Sequence, residues 1–148
     1  SYSQPQQQAS QPQQVQSRSA APTAQTTTSS ASAGSVISYA KQFIGTPYSW
    51  GGSNPGTGFD CSGFVQYVFA HFGKQLPRVT SLQETAGTKI SVSQAQPGDL
   101  YFWGSQGNSY HVAIALGGGQ FIHAPQPGES VKIGSTQYFQ PQFAVHVN

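Results

Sequence analysis

The amino-acid sequence predicts an α+β fold, and three observations carry that prediction. Apolar residues recur at helical spacing up to Gly73. From Ile90 onward the period changes to two. The helical segments precede the strands instead of alternating with them, which favours α+β over a parallel α/β sheet. Val36, Ile37, Ala40, Phe43 and Ile44 predict a first helix over 35–44, closed by Gly45. Segment 45–59, with glycine at 45, 51, 52, 56 and 58 and proline at 47 and 55, reads as a long loop. Such loops in small domains are functional or disordered, and the aromatics Tyr48, Trp50 and Phe59 favour function. A second helix is predicted over 60–73, because Cys61, Phe64, Val65, Val68, Phe69 and Phe72 share one face. Asp60 can cap its start and Gly73 its end. Ser81-Leu82-Gln83-Glu84 has capping-box spacing and predicts a short third helix.

The strands follow. Pro97-Gly98-Asp99 is a turn leading into Leu100-Tyr101-Phe102-Trp103. Segment 111–116 alternates, with His111, Ala113 and Ala115 on one face and Val112, Ile114 and Leu116 on the other. Gly117-Gly118-Gly119 turns the chain back into 120–124 as a hairpin. Short strands near 131–133 and 143–147 complete an antiparallel sheet.

Composition removes several classes of function. Charged residues are 7% of the 148 residues, against about 25% in an average soluble domain. Lys and Arg number 6 and Asp and Glu 4, a net charge of +2, too sparse for the basic stripe of a nucleic-acid-binding surface. No apolar run approaches the ~18 residues of a membrane span, and neither repeats nor heptads occur. One cysteine makes neither an intramolecular disulfide nor a multi-cysteine zinc site. Residues 1–34 are almost entirely Gln, Ser, Ala, Thr and Pro, with Arg18 the only charge, and read as a disordered linker or tail. Residues 35–148 read as a single domain. Methionine is absent, so a processed chain or a fragment is expected, with any export signal lying outside it.

Three residues can do chemistry. Cys61 sits at the first turn of a helix, where backbone N–H groups and the macrodipole favour a thiolate; its alternative role is a small core hydrophobe. His111 opens a strand whose alanines would let the Cys61 helix approach closely, pairing thiol with imidazole. His123 shares the face of His111 in either even-sum hairpin register: opposite it if 115 pairs with 119, diagonal to it if 116 pairs with 120. An odd-sum register, such as 116 with 119, separates them. On an even register His123 can bond the far nitrogen of His111 and fix its tautomer. His71, near a helix C-terminus, and His146, in the last strand, read as structural. Zinc held by Cys61, His111 and His123 is the competing account, weakened because the apolar helix face makes Cys61 a poor preorganised ligand.

The motifs taken together resemble the NlpC-type (NlpC/p-sixty) cell-wall peptidases of the papain-like cysteine peptidase superfamily. The resemblance runs through Pro47-Tyr48-Ser49-Trp50-Gly51-Gly52, Phe59-Asp60-Cys61-Ser62-Gly63-Phe64-Val65, Leu76-Pro77-Arg78 with Gln83, Pro97-Gly98-Asp99-Leu100, His111-Val112-Ala113-Ile114 and Phe121-Ile122-His123-Ala124. It implies a papain-like α+β fold with Cys61 as nucleophile, His111 as base and His123 as orienter. It implies Tyr48 beside the nucleophile as an oxyanion donor, and Asp60 and Ser62 lining the acyl side of the substrate site, with Trp50 taken as a further substrate-binding residue. Arg78 matches a recurrent arginine with a structural role. The activity implied is cleavage of peptidoglycan stem peptides, between γ-D-glutamate (or D-isoglutamine) and the diamino acid, with no metal and no cofactor. A secreted or wall-associated monomer is expected, with no nucleic-acid partner and no membrane span. Two other readings stand beside it: a related thiol amidase cutting the sugar–peptide bond, and a wall-binding module without activity.

Overall fold

The computed structural model describes residues 33–148. The expected linker over 1–34 therefore lies outside the described residues, apart from Ala33 and Gly34, which open the first helix. That helix, α1 (Ala33–Lys41), buries Val36 and Ala40. It begins before and ends earlier than expected. Beyond Lys41 the chain tightens into i→i+3 turns, with N–H groups of Gln42, Phe43 and Ile44 on the carbonyls of Tyr39, Ala40 and Lys41. Gly45 does not cap the helix; its N–H reaches the Val131 carbonyl instead.

The segment expected as a loop contains a small antiparallel ladder, β1 (Ser53–Asn54) with β2 (Gly58–Phe59). Its glycines serve close backbone approach. A Cβ at Gly58, where φ is +101°, would lie 2.6 Å from the Pro47 carbonyl oxygen. The ladder delivers the chain to α2 (Cys61–His71), which buries Ser62, Gly63, Phe64, Val65, Val68 and Phe69, most of the face expected. His71 ends α2 and stacks on Tyr39 of α1, ring centroids 3.8 Å apart.

Helix α3 (Thr80–Gln83) forms one turn, but not through the expected capping box. Val79 is its N-cap residue and offers no side-chain bond. Ser81 lies inside the helix, and the Glu84 carboxylate is used elsewhere. A 3₁₀ turn (Glu84–Ala86) then leads into β3 (Gly87–Ile90), a strand the sequence did not announce. Only Ile90 of its four residues is aliphatic, and its pairing to the last strand is a backbone matter.

The remaining strands are β4 (Leu100–Trp103), β5 (His111–Gly117), β6 (Gln120–His123), β7 (Lys132–Ser135) and β8 (Phe143–Val147). With β3 they form one antiparallel sheet in the order β3-β8-β4-β5-β6-β7, which makes the domain α+β as expected. His146 of β8 has Nδ1 2.7 Å from Oδ1 of the buried Asp99, tying the last strand to the turn before β4.

One expected packing arrangement is corrected. The alanines of β5 do not receive α2. Ala113 and Ala115 pack with Tyr101, Trp103, Phe121 and Ala144, and Ile90, Val92 and Ala95 close over that group. Helix α2 abuts β5 without a side chain in that cluster, and so takes the opposite face, where Val112 and Ile114 are fully buried. Small residues at 113 and 115 make room for three aromatic rings from neighbouring strands, not for a helix. The start of α2 lies beside the first residues of β5, where a Val112 backbone bond reaches the Cys61 sulfur, and Cys61 and His111 line one cleft. Among the described residues no helix is long and apolar enough to cross a membrane.

Candidate active site

A cleft of about 1030 Å³ runs between two walls. One is built from the start of α2 and the 78–81 segment, the other from the beginnings and ends of β5, β6 and β7. Cys61, His111 and His123 all line it, as do Tyr48, Trp50, Asp60 and Ser62.

The first wall is organised by Asp60. Its backbone is extended (φ −91°, ψ −179°), and its Oδ1 accepts from the Gly63 N–H at 2.7 Å, the N-cap bond expected. Gly63 is what allows this. A Cβ there would lie 2.1 Å from the Gly52 carbonyl oxygen and 2.9 Å from Asp60 Oδ1. Arg78 grips the same carboxylate with both ends of its fork, Nη1–Oδ1 at 3.0 Å and Nη2–Oδ2 at 2.9 Å. Gly51 N–H donates to Oδ2 at 3.1 Å. Arg78 also bonds Ser62 Oγ at 2.8 Å and the Gly52 carbonyl at 3.3 Å. Both Asp60 oxygens are thus engaged in building the cysteine's platform, and Arg78 has the structural place expected of it. Asp60→Ala should lower stability by about 3 kcal/mol, the sum of a lost cap and a broken charge-assisted pair discounted for Arg78's partial exposure. Thermal melting of the variant against Asp60→Asn, which keeps the shape and part of the capping, checks this.

Cys61 follows directly. Its Sγ lies 3.6 Å from the Thr80 hydroxyl, a neighbour not anticipated from the sequence. Backbone hydrogen bonds from Val112 and Ser62 also reach the thiol, which sets the sulfur beside the first residues of β5. The electrostatics depart from the expected depression. Burial pushes the thiol above its ordinary range and the neighbouring Asp60 charge adds to this, outweighing Thr80 and the two backbone bonds. Tyr48 lies close enough to feel the same charges. Burial first, then Cys61 and Asp60, raise its phenol, while Arg78 opposes them. Its hydroxyl stays protonated and able to donate. Trp50 stands at the rim, 86% exposed.

The second wall carries the histidines. Ile114 pairs with Ile122 and Ala115 with Phe121, an even-sum register that sets His123 diagonal to His111 on one face. A bulge between Ala115 and Gly117 absorbs the switch to the Gly117–Gln120 pair at the turn. His111 Nε2 lies 2.8 Å from His123 Nδ1, and both rings are buried. This bond leaves His111 Nδ1 as the nitrogen free to meet another group. Phe139, unforeseen in the sequence, stacks on Trp103 at 4.5 Å and lies 5.6 Å from the His111 ring and 6.5 Å from the His123 ring. Among these aromatic neighbours, burial holds both imidazoles well below the ordinary histidine range; His123 lowers His111 further, and Lys132 lowers His123 against the pull of Glu129.

A pH dependence of folding follows. Above about 6.5 both imidazoles are neutral in folded and unfolded chains alike. As pH falls below that value, the unfolded chain takes up protons that the folded pair refuses. Stability therefore rises with pH through this window and is lost toward acid. Urea midpoints measured against pH should show this slope, flattened in a His111→Gln/His123→Gln double variant.

The zinc arrangement does not form. Among the described residues, no three His, Cys, Asp or Glu side chains converge as ligands. His111 and His123 direct nitrogens at each other instead.

The model of the NlpC/P60 family matches residues 45–148, a span holding the whole cleft from Tyr48 to Phe139. Protein P54 of Enterococcus faecium is 61% identical over 111 residues, covering 74% of this chain and 21% of that protein. Probable endopeptidase p60 of Listeria seeligeri is 48% identical over 93 residues, 63% of this chain and 18% of that protein. The chain thus spans about a fifth of the length of these curated relatives. The crystal structure of the NlpC/p60 domain of the peptidoglycan hydrolase SagA superposes with a TM-score of 0.77 at 60% identity, covering 79% of this chain and 100% of that one. Matched in sequence across its cleft and in fold across its sheet, the chain belongs to the NlpC/P60 family.

Proposed function

We propose that this domain is a cysteine peptidase that hydrolyses the stem peptides of bacterial peptidoglycan outside the cell, at the bond between the γ-D-glutamyl (or D-isoglutaminyl) residue and the diamino acid. The observation that carries this reading is the buried His111–His123 bond in the wall of a cleft whose other wall presents Cys61 at a helix start. A neutral imidazole with its far nitrogen already engaged is a base with one free site, and a thiol is the nucleophile that such a base serves. Relatives named as endopeptidases and a structural neighbour named as a peptidoglycan hydrolase supply the substrate class.

In this reading the resting pair is neutral. His111 Nδ1 takes the Cys61 proton as sulfur attacks the amide carbon. Backbone N–H groups at the start of α2 and the Tyr48 hydroxyl hold the oxyanion. The tetrahedral adduct collapses, the C–N bond breaks, and His111 returns the proton to the leaving amine. Water, deprotonated by His111, then attacks the thioester. The carboxylic acid departs and the thiol is restored. His123 keeps His111 in the tautomer with its proton on Nε2. Trp50, Ser62 and the Asp60–Arg78 platform border the acyl side. No metal or cofactor enters any step.

Acid-quenched intact-mass spectrometry during turnover tests the thioester. An adduct of the acyl half on Cys61, released by hydroxylamine and insensitive to EDTA, is expected. Turnover that EDTA abolishes, with no adduct, would overturn the thiol mechanism.

A further inference from the structure

Glu84 has the spacing of a capping-box residue and is not used as one. Its carboxylate leaves its own helix and gathers a loop on the opposite wall. Oε1 accepts from the Gly107 N–H at 2.7 Å, and Oε2 accepts from the Ser109 N–H at 3.2 Å and from the Ser109 hydroxyl. Ser109 is two residues before His111. On the other side, Glu84 is continuous with α3, which is fastened to the cysteine wall at two points. Gln83 Nε2 donates to the carbonyl of Ser62, the residue after Cys61, at 3.0 Å, and to the Pro77 carbonyl at 2.9 Å. Thr80 touches the thiol sulfur. A short covalent and hydrogen-bonded path therefore runs Cys61–Ser62–Gln83–Glu84–Ser109–His111.

The two walls are also joined where α2 packs on β5 and a Val112 backbone bond reaches the Cys61 sulfur, and at the far end of the cleft by backbone bonds. Gly45 and Tyr48 N–H groups reach Val131 and Glu129 carbonyls, and Val131 N–H reaches Thr46. Those bonds hold the Tyr48 end of the cleft. The 104–110 loop has weaker anchorage of its own. Residues 105–108 are exposed, and its other ties are Gly104 N–H to Gln142, Asn108 N–H to Ser105, Tyr110 N–H to Trp103 and the exposed Lys89–Gln106 contact. Three donors converging on one carboxylate are the strongest link from this loop to the cysteine wall.

We propose that Glu84 is a positioning residue: it sets the distance between the Cys61 thiol and the His111 imidazole by clamping the Ser109 loop to α3. The inference rests on the thiol–imidazole reading above. Misplacement by about an ångström in such a pair costs rate far more than binding. Glu84→Ala should therefore lower kcat on a purified stem-peptide fragment about thirtyfold to a hundredfold, with KM within about threefold. The pH profile of Cys61 alkylation by iodoacetamide should move toward that of His111→Ala. Glu84→Gln keeps one acceptor oxygen and the side-chain volume, and should recover most of kcat and of the wild-type profile. Ser109→Ala should fall between the two. Cooperative melting of each variant is measured alongside, and Ser109→Ala carries the test if Glu84→Ala does not fold. The proposal is overturned if Glu84→Ala, or Ser109→Ala where Glu84→Ala does not fold, keeps kcat within about twofold of wild type, or loses rate while its alkylation profile stays that of wild type. A different result, identical alkylation profiles for wild type and His111→Ala, would sink the thiol–imidazole reading itself.

Discussion

Cys61→Ala is expected to lower muropeptide hydrolysis by a factor of about 10⁴ or more, since loss of a nucleophile leaves only binding and oxyanion contacts. The fold should survive. Cys61 is partly buried, and its sulfur meets only the Thr80 hydroxyl at 3.6 Å and backbone groups of Val112 and Ser62, all of which remain when it is removed. Deleting it removes little packing, while Asp60, Gly63 and Arg78 still hold the start of α2. The change should therefore separate activity from stability, as read by product formation and by melting temperature on the same sample. A loss of both together would mean that the cysteine is a core residue and that its place at the helix start is incidental.

His111→Ala is expected to cost a factor of about 10³ to 10⁴, the range for a general base that also serves as the acid. The sign of the pH effect is fixed by the burial of the pair. His111 is useful as a base only when unprotonated, and burial with His123 alongside holds its pKa well below the ordinary value of 6.5. The acid limb of kcat/KM should therefore lie below 6.5, with activity persisting into mildly acidic solution for as long as the protein stays folded. The raised thiol points the same way: the resting pair is neutral and becomes charged only as substrate is attacked. A limb at or above 6.5 would instead indicate a preformed thiolate–imidazolium pair. His123→Ala should lose less than His111→Ala, because His123 orients the base without touching substrate.

Much of this site could be read from the sequence because its elements carry strong periodicity. The face Phe64, Val65, Val68 and Phe69 marks α2 without ambiguity, and it puts Asp60 and Cys61 at the N-terminal end. The alternation from His111 marks β5. The glycine triplet left register parity open, and the Ile114–Ile122 pairing, with a bulge before the turn, resolves it toward a shared face for the two histidines. The parts that could not be read are those where backbone or distant contacts decide. The β1–β2 ladder and β3 offer almost no apolar alternation, since their order comes from pairing with neighbours. The Ser81–Glu84 spacing imitates a cap, but Glu84 finds three donors in the 104–109 segment and is worth more there. The alanines of β5 imply a close neighbour without saying which, and aromatic rings from β4 and β6 took the space. Thr80 against the sulfur and Phe139 beside the histidines are far from Cys61 and His111 along the chain, and no local pattern marks them. The raised thiol has the same origin, because burial, aided by the Asp60 charge, outweighs the bonds from Thr80, Val112 and Ser62.

The most direct test of the central claim is digestion of purified muropeptides by wild type and Cys61→Ala, read by mass spectrometry. The proposed function requires a wild-type product ending in γ-D-glutamate or D-isoglutamine, together with the peptide that begins at the diamino acid, and neither from Cys61→Ala. Sugar freed of peptide at its lactyl group would contradict it in favour of a thiol amidase. No product from any stem type would contradict it in favour of a wall-binding module.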